Sequence, residues 1–331
     1  MQRYKVSVIV PIYGVELYIE RCARSLFEQT LDSIEYIFVN DCTQDNSVNI
    51  LLNVVQDYPH RQNDIKIVNH DVNKGLPQAR KTGILLAKGD YVINCDSDDW
   101  VDKNVYQMMW EEAYRKKKDI VFCNFYRSDG TDVSDVKRCF GDLNNKEQLI
   151  FTIINKGLYS LCGALVLRDV FVTNNILYPQ ENNGEDFALM IQLLFYTQNY
   201  SYLPNAYYYY YWHSESMSQN DKLDCILKRI KEYKANVNLL VDFFERNNFD
   251  EDLCKNVILV LKVICRANFS IRVNSLITYK IWKSIYPEIK LQDILLNTKI
   301  PTKYKLNFLT TKICIYPLLK QIQWSLKGRK W

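Results

Sequence analysis

Within its first 95 residues the chain sets four short apolar runs at regular intervals, with helical spacing between them. The runs are 6–11 (VSVIVP), 35–40 (EYIFVN), 65–69 (IKIVN) and 91–95 (YVINC). The continuous apolarity of the first reads as a strand buried on both faces, the second as another buried strand, and the others as a third and a fourth strand. Segments 18–29, 47–58 and 76–87 have helical spacing, the second with Asp45 or Asn46 as N-cap. Short connections between such elements imply a parallel sheet covered by helices on both sides. Ligands of such sheets gather at the carboxyl ends of the strands. A helix over 103–118 and a strand over 119–126 extend the pattern. Farther on, strands at 161–167 and 202–212 flank a helix at 186–196. Helices follow at 223–246, 251–268, 276–286 and 306–326, punctuated by Pro287, Pro301 and Pro317. The expected organisation is an α/β unit over 1–218, with halves at about 1–100 and 101–218, then a helical region over 219–331.

Composition narrows the class. With 48% hydrophobic and 24% charged residues the chain is globular. A net charge of +4 over 331 residues gives no argument for nucleic acid, and no nucleic-acid partner is expected. Ten cysteines without a CxxC pair give no support to a zinc or dithiol site, and they fit a reducing cytosol. The N-terminal MQRYKVSVIVP enters a strand with no signal-peptide pattern, so a cytoplasmic protein is expected. The longest apolar run, 257–265, is broken by Lys262 and falls short of the roughly 18 residues of a spanning helix.

Acidic residues cluster where strands end. Asp96-Ser97-Asp98-Asp99 follows YVINC directly. Three carboxylates in four residues repel one another unless something compensates them. Mg2+ or Mn2+ would do so, since these ions take oxygen ligands and need only one or two carboxylates beside substrate phosphates. A solvated turn or helix cap is the plainer alternative. Asn40-Asp41 ends a second strand, where an Asp can accept from a nucleobase or ribose, or form an Asx turn. Glu185-Asp186 opens a helix, a placement that the macrodipole favours without any catalytic role. His213 follows the run 207–211 of five tyrosines and Trp212; it is a candidate metal or phosphate ligand, or a structural histidine.

Together these segments resemble the family 2 glycosyltransferases. The resemblance rests on VSVIVPIYG at 6–14, SLFEQT at 25–30, VNDCTQDNS at 39–47, NKGLPQARKTG at 73–83 with AKGDY at 87–91, Asp96-Ser97-Asp98, and Gly184-Glu185-Asp186-Phe187. The motifs occur in the family's order and span about the first 215 residues. Asn40 stands where the family's first acid is usual, and Cys162-Gly163-Ala164 where a Lys is common. The resemblance implies a GT-A fold, Rossmann-like and mostly parallel, with a C-terminal helical extension. It implies that Pro11, Tyr13, Asp41, Arg80 and Asp96 line the nucleotide site. Asp96 and Asp98 would hold a metal–diphosphate, with Asp98 the direct ligand. Asp186 would be the base, and Glu185, Asp99 and His213 would face or support the acceptor side. The implied reaction is inverting transfer from a nucleotide-sugar, UDP by resemblance, to a glycan or lipid-linked glycan in surface polysaccharide or lipopolysaccharide synthesis.

Two rivals remain at this level. A sugar-1-phosphate nucleotidyltransferase should carry a Gly-rich basic loop after the first strand, and PIYGVELYIE has only Gly14. A non-catalytic nucleotide-sugar binder would not need both Asp98 and Asp186. After Asp293 there is no acid, while eight Lys and Arg alternate with apolar residues through Trp324 and Trp331. That pattern predicts peripheral contact with an anionic membrane, on the cytoplasmic face; a helix packed on the protein is the alternative.

Overall fold

The computed structural model describes residues 4–136, 138–212, 222–270, 272–273 and 275–313. The first half alternates β1 (Val6–Ile12), α1 (Ile19–Phe27), β2 (Ile34–Asn40), α2 (Ser47–Gln56), β3 (Ile65–Asn69), α3 (Leu76–Leu86) and β4 (Tyr91–Asn94). There follow β5 (Trp100–Val101), α4 (Val105–Lys116), β6 (Ile120–Ser128), β7 (Val133–Val136), α5 (Lys146–Lys156), β8 (Ala164–Leu167), α6 (Arg168–Thr173), α7 (Glu185–Tyr196) and β9 (Tyr200–Tyr211). The chain continues as α8 (Leu223–Glu245), α9 (Glu251–Ser270), α10 (Leu276–Ser284), α11 (Leu291–Leu296) and α12 (Thr302–Lys312).

All strands join one sheet in the order β3-β2-β1-β4-β8-β6-β9-β5, with β7 on β6. The β3-β2-β1-β4 part is parallel, as the apolar runs predict. Beyond β4 the pairings are mixed: β8 is antiparallel to both β4 and β6, β9 is parallel to β6, and β5 is antiparallel to β9. Every residue of β1 is buried. Its side chains alternate between faces, with Val6, Val8, Val10 and Ile12 packed with α1, α2 and α4, and Ile9 with α3. Gly83 of α3 lets that helix lie on Ile9, because a Cβ there would sit 2.2 Å from Ile9 Cγ2. Pro11 sits past the last β1–β4 pair, so its missing N–H costs no ladder bond there.

The β6–β9 ladder slips between Cys123 and Asn124, where the partner jumps from Leu203 to Tyr207. Pro204 lies in the slipped segment, and its carbonyl accepts from Asn124 Nδ2. After the slip, Tyr208 is buried among core residues while Tyr207 and Tyr209 flank Tyr126 on the other face.

The C-terminal helices extend the core beneath α5 and α7: Val237, Leu240, Phe243, Val257 and Leu261 belong to the same apolar cluster as Ile150, Phe187 and Ile191. Two expectations change here. Residues 161–163 form a tight 3-10 turn before β8 rather than its first residues. The start of the basic tail, α12, packs on the protein: Phe308 meets Trp282 and Arg266, and Asn307 Nδ2 donates to Ala267 O. The tail residues 314–331 lie outside the described residues. No described helix is long and apolar enough to cross a membrane.

Candidate active site

The Asp96–Asp99 segment is a turn closed by Asp99 N donating to Asp96 O at 3.1 Å. It follows β4 at the carboxyl edge of the parallel strands, and several elements hold it. From β9, the Tyr208 hydroxyl accepts from Asp96 N and donates to the Asp99 carboxylate, which also accepts from Tyr211 N at 2.7 Å. From α1, Arg21 Nη2 donates to Asp98 O at 2.7 Å. Residues just downstream are pinned to the same helix and the two residues past its cap: Ser25 Oγ accepts from Val101 N, Gln29 Nε2 donates to Asp102 O, and Thr30 N donates to Lys103 O. The SLFEQT motif thus serves to anchor the segment that carries the acids. Asp99 itself is buried, and burial together with Asp98 and Asp96 pushes its carboxyl well above the usual range against the pull of Tyr208 and Tyr211. Of the two expected roles, facing the acceptor or supporting, its burial and bonds fit support of the turn from behind.

Arg80, on α3, is 2% exposed and joins three carboxylates. Its Nη2 donates to Asp96 Oδ1 at 2.6 Å, and its Nη1 to Asp186 Oδ1 at 2.7 Å and to Glu185. Burial opposes the charge of Arg80, and the three acids together raise its pKa well above that of an ordinary arginine. Burial pushes Glu185 well up, with Arg80 opposing and Asp186 and Asp96 adding. Asp96 and Asp186 remain 33% and 30% exposed. Each accepts from Arg80 through Oδ1, so Oδ2 takes no part in that bond. One cation against three acids leaves the cluster short of positive charge when all are ionised, before Asp98 is added. Arg80, expected beside the nucleotide, is the buried hub of the acids.

The Glu185-Asp186 pair opens α7 after Gly184, whose φ of +89° an L side chain would adopt only under strain. Residues 181–183 before it are held from α8. Asn236 Nδ2 donates to the carbonyls of Glu181 and Asn183, and Asn183 N donates to Glu232. Asn182 Oδ1 in turn accepts from Leu76 N at the start of α3. The helical C-terminal region therefore positions the second acidic motif.

Asp41 differs from expectation. It is 3% exposed, and its carboxylate accepts from His70 Nδ1 at 2.7 Å, Lys74 N at 2.9 Å and Gly75 N at 2.7 Å. It is a clasp closing the loop before α3, not an open pocket wall. Pro11 is likewise buried within β1, whereas Tyr13 at the end of that strand is 56% exposed. His213 lies outside the described residues. Among the described residues no three His, Cys, Asp or Glu side chains form a metal-binding group. The half-buried acids Asp96 and Asp98 still fit a cation whose shell is completed by phosphate oxygens and water, since such ions are held by one or two carboxylates. Arg21, Tyr208 and Asn182 escaped the sequence reading because their partners are 77, 112 and 106 residues away.

Comparison with known proteins agrees with this arrangement. The glycosyl transferase family 2 model matches residues 7–173, just over half the chain. The uncharacterized glycosyltransferase EpsJ of Bacillus subtilis (strain 168) is 36% identical over 182 residues, covering 53% of this chain and 52% of EpsJ. The chain thus spans about half the length of that relative. In fold, it resembles Staphylococcus aureus TarS 1-349 in complex with UDP-GlcNAc, with TM-score 0.69, 19% identity, and 99% and 93% of the two chains covered. It also resembles the mannosyltransferase PcManGT of Pyrobaculum calidifontis in complex with GDP-Man and Mn2+, with TM-score 0.56, 14% identity, and 95% and 87% covered. The sheet with its flanking helices is thus a GT-A-type fold, and the chain belongs to glycosyl transferase family 2.

Proposed function

We propose that the chain transfers a sugar, with inversion, from a nucleoside-diphosphate sugar to a glycan or lipid-linked glycan hydroxyl. The observation that carries this reading is the gathering of Asp96 and Asp186 on Arg80, beside the Asp98 turn, from segments 90 residues apart in sequence. TarS and PcManGT, bound to nucleotide-sugars, and the Mn2+ of PcManGT support a donor of that class and a divalent cation.

Asp98 and Asp96 Oδ2 would hold Mn2+ or Mg2+, which when bound offsets the charge that builds on a diphosphate leaving group. Tyr13 walls the base side, above the loop clasped by Asp41. Asp186 Oδ2 takes the acceptor proton as the hydroxyl oxygen bonds to the anomeric carbon. The bond from that carbon to the diphosphate oxygen breaks on the opposite face, and its electron pair leaves with the diphosphate. Arg80 fixes the Oδ1 atoms of Asp96 and Asp186, so donor-side and acceptor-side acids keep one separation. Glu185 supports Asp186 from within the core.

A panel of nucleotide-sugars, each with Mn2+ or with EDTA, tests the reading by thermal shift. One donor should stabilise the protein in the presence of Mn2+, and Asp98→Ala should abolish the metal-dependent part. Equal stabilisation with EDTA would reject a cation at this turn. The basic, Trp-bearing segment 314–331 supports peripheral contact with an anionic cytoplasmic membrane face. Removing only those residues should release the protein from anionic vesicles; unchanged binding would reject the assignment.

A further inference from the structure

We infer that Arg21 is a positioning residue that sets the Asp98 main chain for cation binding by clamping the acid turn between α1 and the end of β9. The inference rests on the cation reading of Asp98 given above. Arg21 Nη2 donates to Asp98 O, and the guanidinium lies 3.8 Å from the Trp100 ring centroid and 4.5 Å from that of Tyr211. Tyr211 N donates to Asp99 Oδ1, and Tyr18, also near α1's start, packs on the Tyr211 ring at 5.3 Å. One planar cation therefore touches the turn, the residue after it and the end of β9. The Asp98 carbonyl and carboxylate leave the same short backbone unit. Arg21 fixes the peptide plane after Asp98, while the Asp99 N–Asp96 O bond closes the turn around it. With that one peptide plane held through both its oxygen and its nitrogen, the direction in which Cβ leaves the Asp98 backbone is restrained.

The chemistry of the contact requires an arginine. Stacking on two aromatic rings while donating in the ring plane needs a flat, delocalised cation, which lysine does not supply. Arg21 Nε is also buried with no partner. An unsatisfied donor costs stability, so filling this channel is not its sole purpose; methionine would do that without the cost. A cation that grips the turn through the Asp98 carbonyl restrains its backbone.

The test compares wild type, Arg21→Met, Arg21→Lys and Asp98→Ala, titrating Mn2+ into UDP-loaded protein and reading half-saturation by thermal shift, with UDP affinity in EDTA measured separately. Arg21→Met should raise half-saturating Mn2+ about tenfold or more and leave the EDTA affinity unchanged, with Arg21→Lys in between. A merely structural residue would lower the melting temperature without this split. Wild-type Mn2+ half-saturation in Arg21→Met, where Asp98→Ala has lost its response, overturns the role of Arg21 alone. If Asp98→Ala responds to Mn2+ as wild type does, the cation reading itself fails. Should Arg21→Met not fold, Arg21→Lys decides by the same titration: half-saturation unchanged from wild type overturns the inference, and a several-fold rise supports it.

Discussion

Replacing Asp41 separates two roles that the sequence could not distinguish. In the structure its carboxylate is 3% exposed and accepts from three donors at 2.7, 2.9 and 2.7 Å. Hydrogen bonds to a charged acceptor contribute about 1.5–3 kcal/mol each. Gly75 N keeps a second acceptor, Asn73 Oδ1 at 3.1 Å, so its loss is partial. His70 Nδ1 and Lys74 N have no such reserve in the clasp. Two full losses and one partial give about 4–7 kcal/mol for Asp41→Ala, a large share of the roughly 5–15 kcal/mol that holds a domain together. Asp41→Asn keeps the shape but turns an N–H2 towards a backbone donor, so it should lose about 2–4 kcal/mol. Urea unfolding of the ligand-free protein measures both. A loss below about 1 kcal/mol, together with lost UDP binding, would refute the clasp and restore Asp41 to the base pocket.

Other outcomes follow from the same geometry. Asp99 has a folded pKa raised above its unfolded value, so its ionisation opposes folding and the contribution is lost as pH rises from the unfolded value. Asp99→Asn should therefore gain on wild type between pH 5 and 8 in urea unfolding; a gap that narrows with rising pH contradicts the burial argument. Gly83→Ala should destabilise by about 1–3 kcal/mol because its Cβ meets Ile9 Cγ2, and Ile9→Ala should recover part of that in the double variant, as a double-mutant cycle would show.

The parallel half of the fold was legible because its strands form short apolar runs, buried throughout in β1 and nearly so in β2, while β3 at the sheet edge is half-buried to exposed. The runs 6–11, 35–40 and 65–69 coincide with β1, β2 and β3 to within one residue at either end. The β7 strand was not legible because all four of its residues are exposed and VSDV carries no apolar period. The two residues of β5 are defined only by pairing with Tyr208 and Tyr209, distant in sequence. Among the site residues, Asp96, Asp98 and Asp186 were readable as motifs, and the structure brings Asp96 and Asp186 onto one side chain. The direction of a side chain at a strand tip is not written in local sequence, so the sequence could not tell that Asp41 and Asp99 are both buried. Arg80 was recognised as a motif residue, but three acids drawn from two segments are visible as its partners only once α3 and α7 are packed.

The central claim is that Asp186 takes the acceptor proton while the Asp96–Asp98 side holds the donor. Asp186→Asn keeps an oxygen for Arg80 Nη1 and removes the base. With the nucleotide-sugar that stabilises wild type, and Mn2+ present, the variant should bind donor with wild-type affinity and transfer at least a hundredfold more slowly, in line with the roughly 10²–10⁴-fold contribution of a positioned base. Transfer at the wild-type rate would contradict the account.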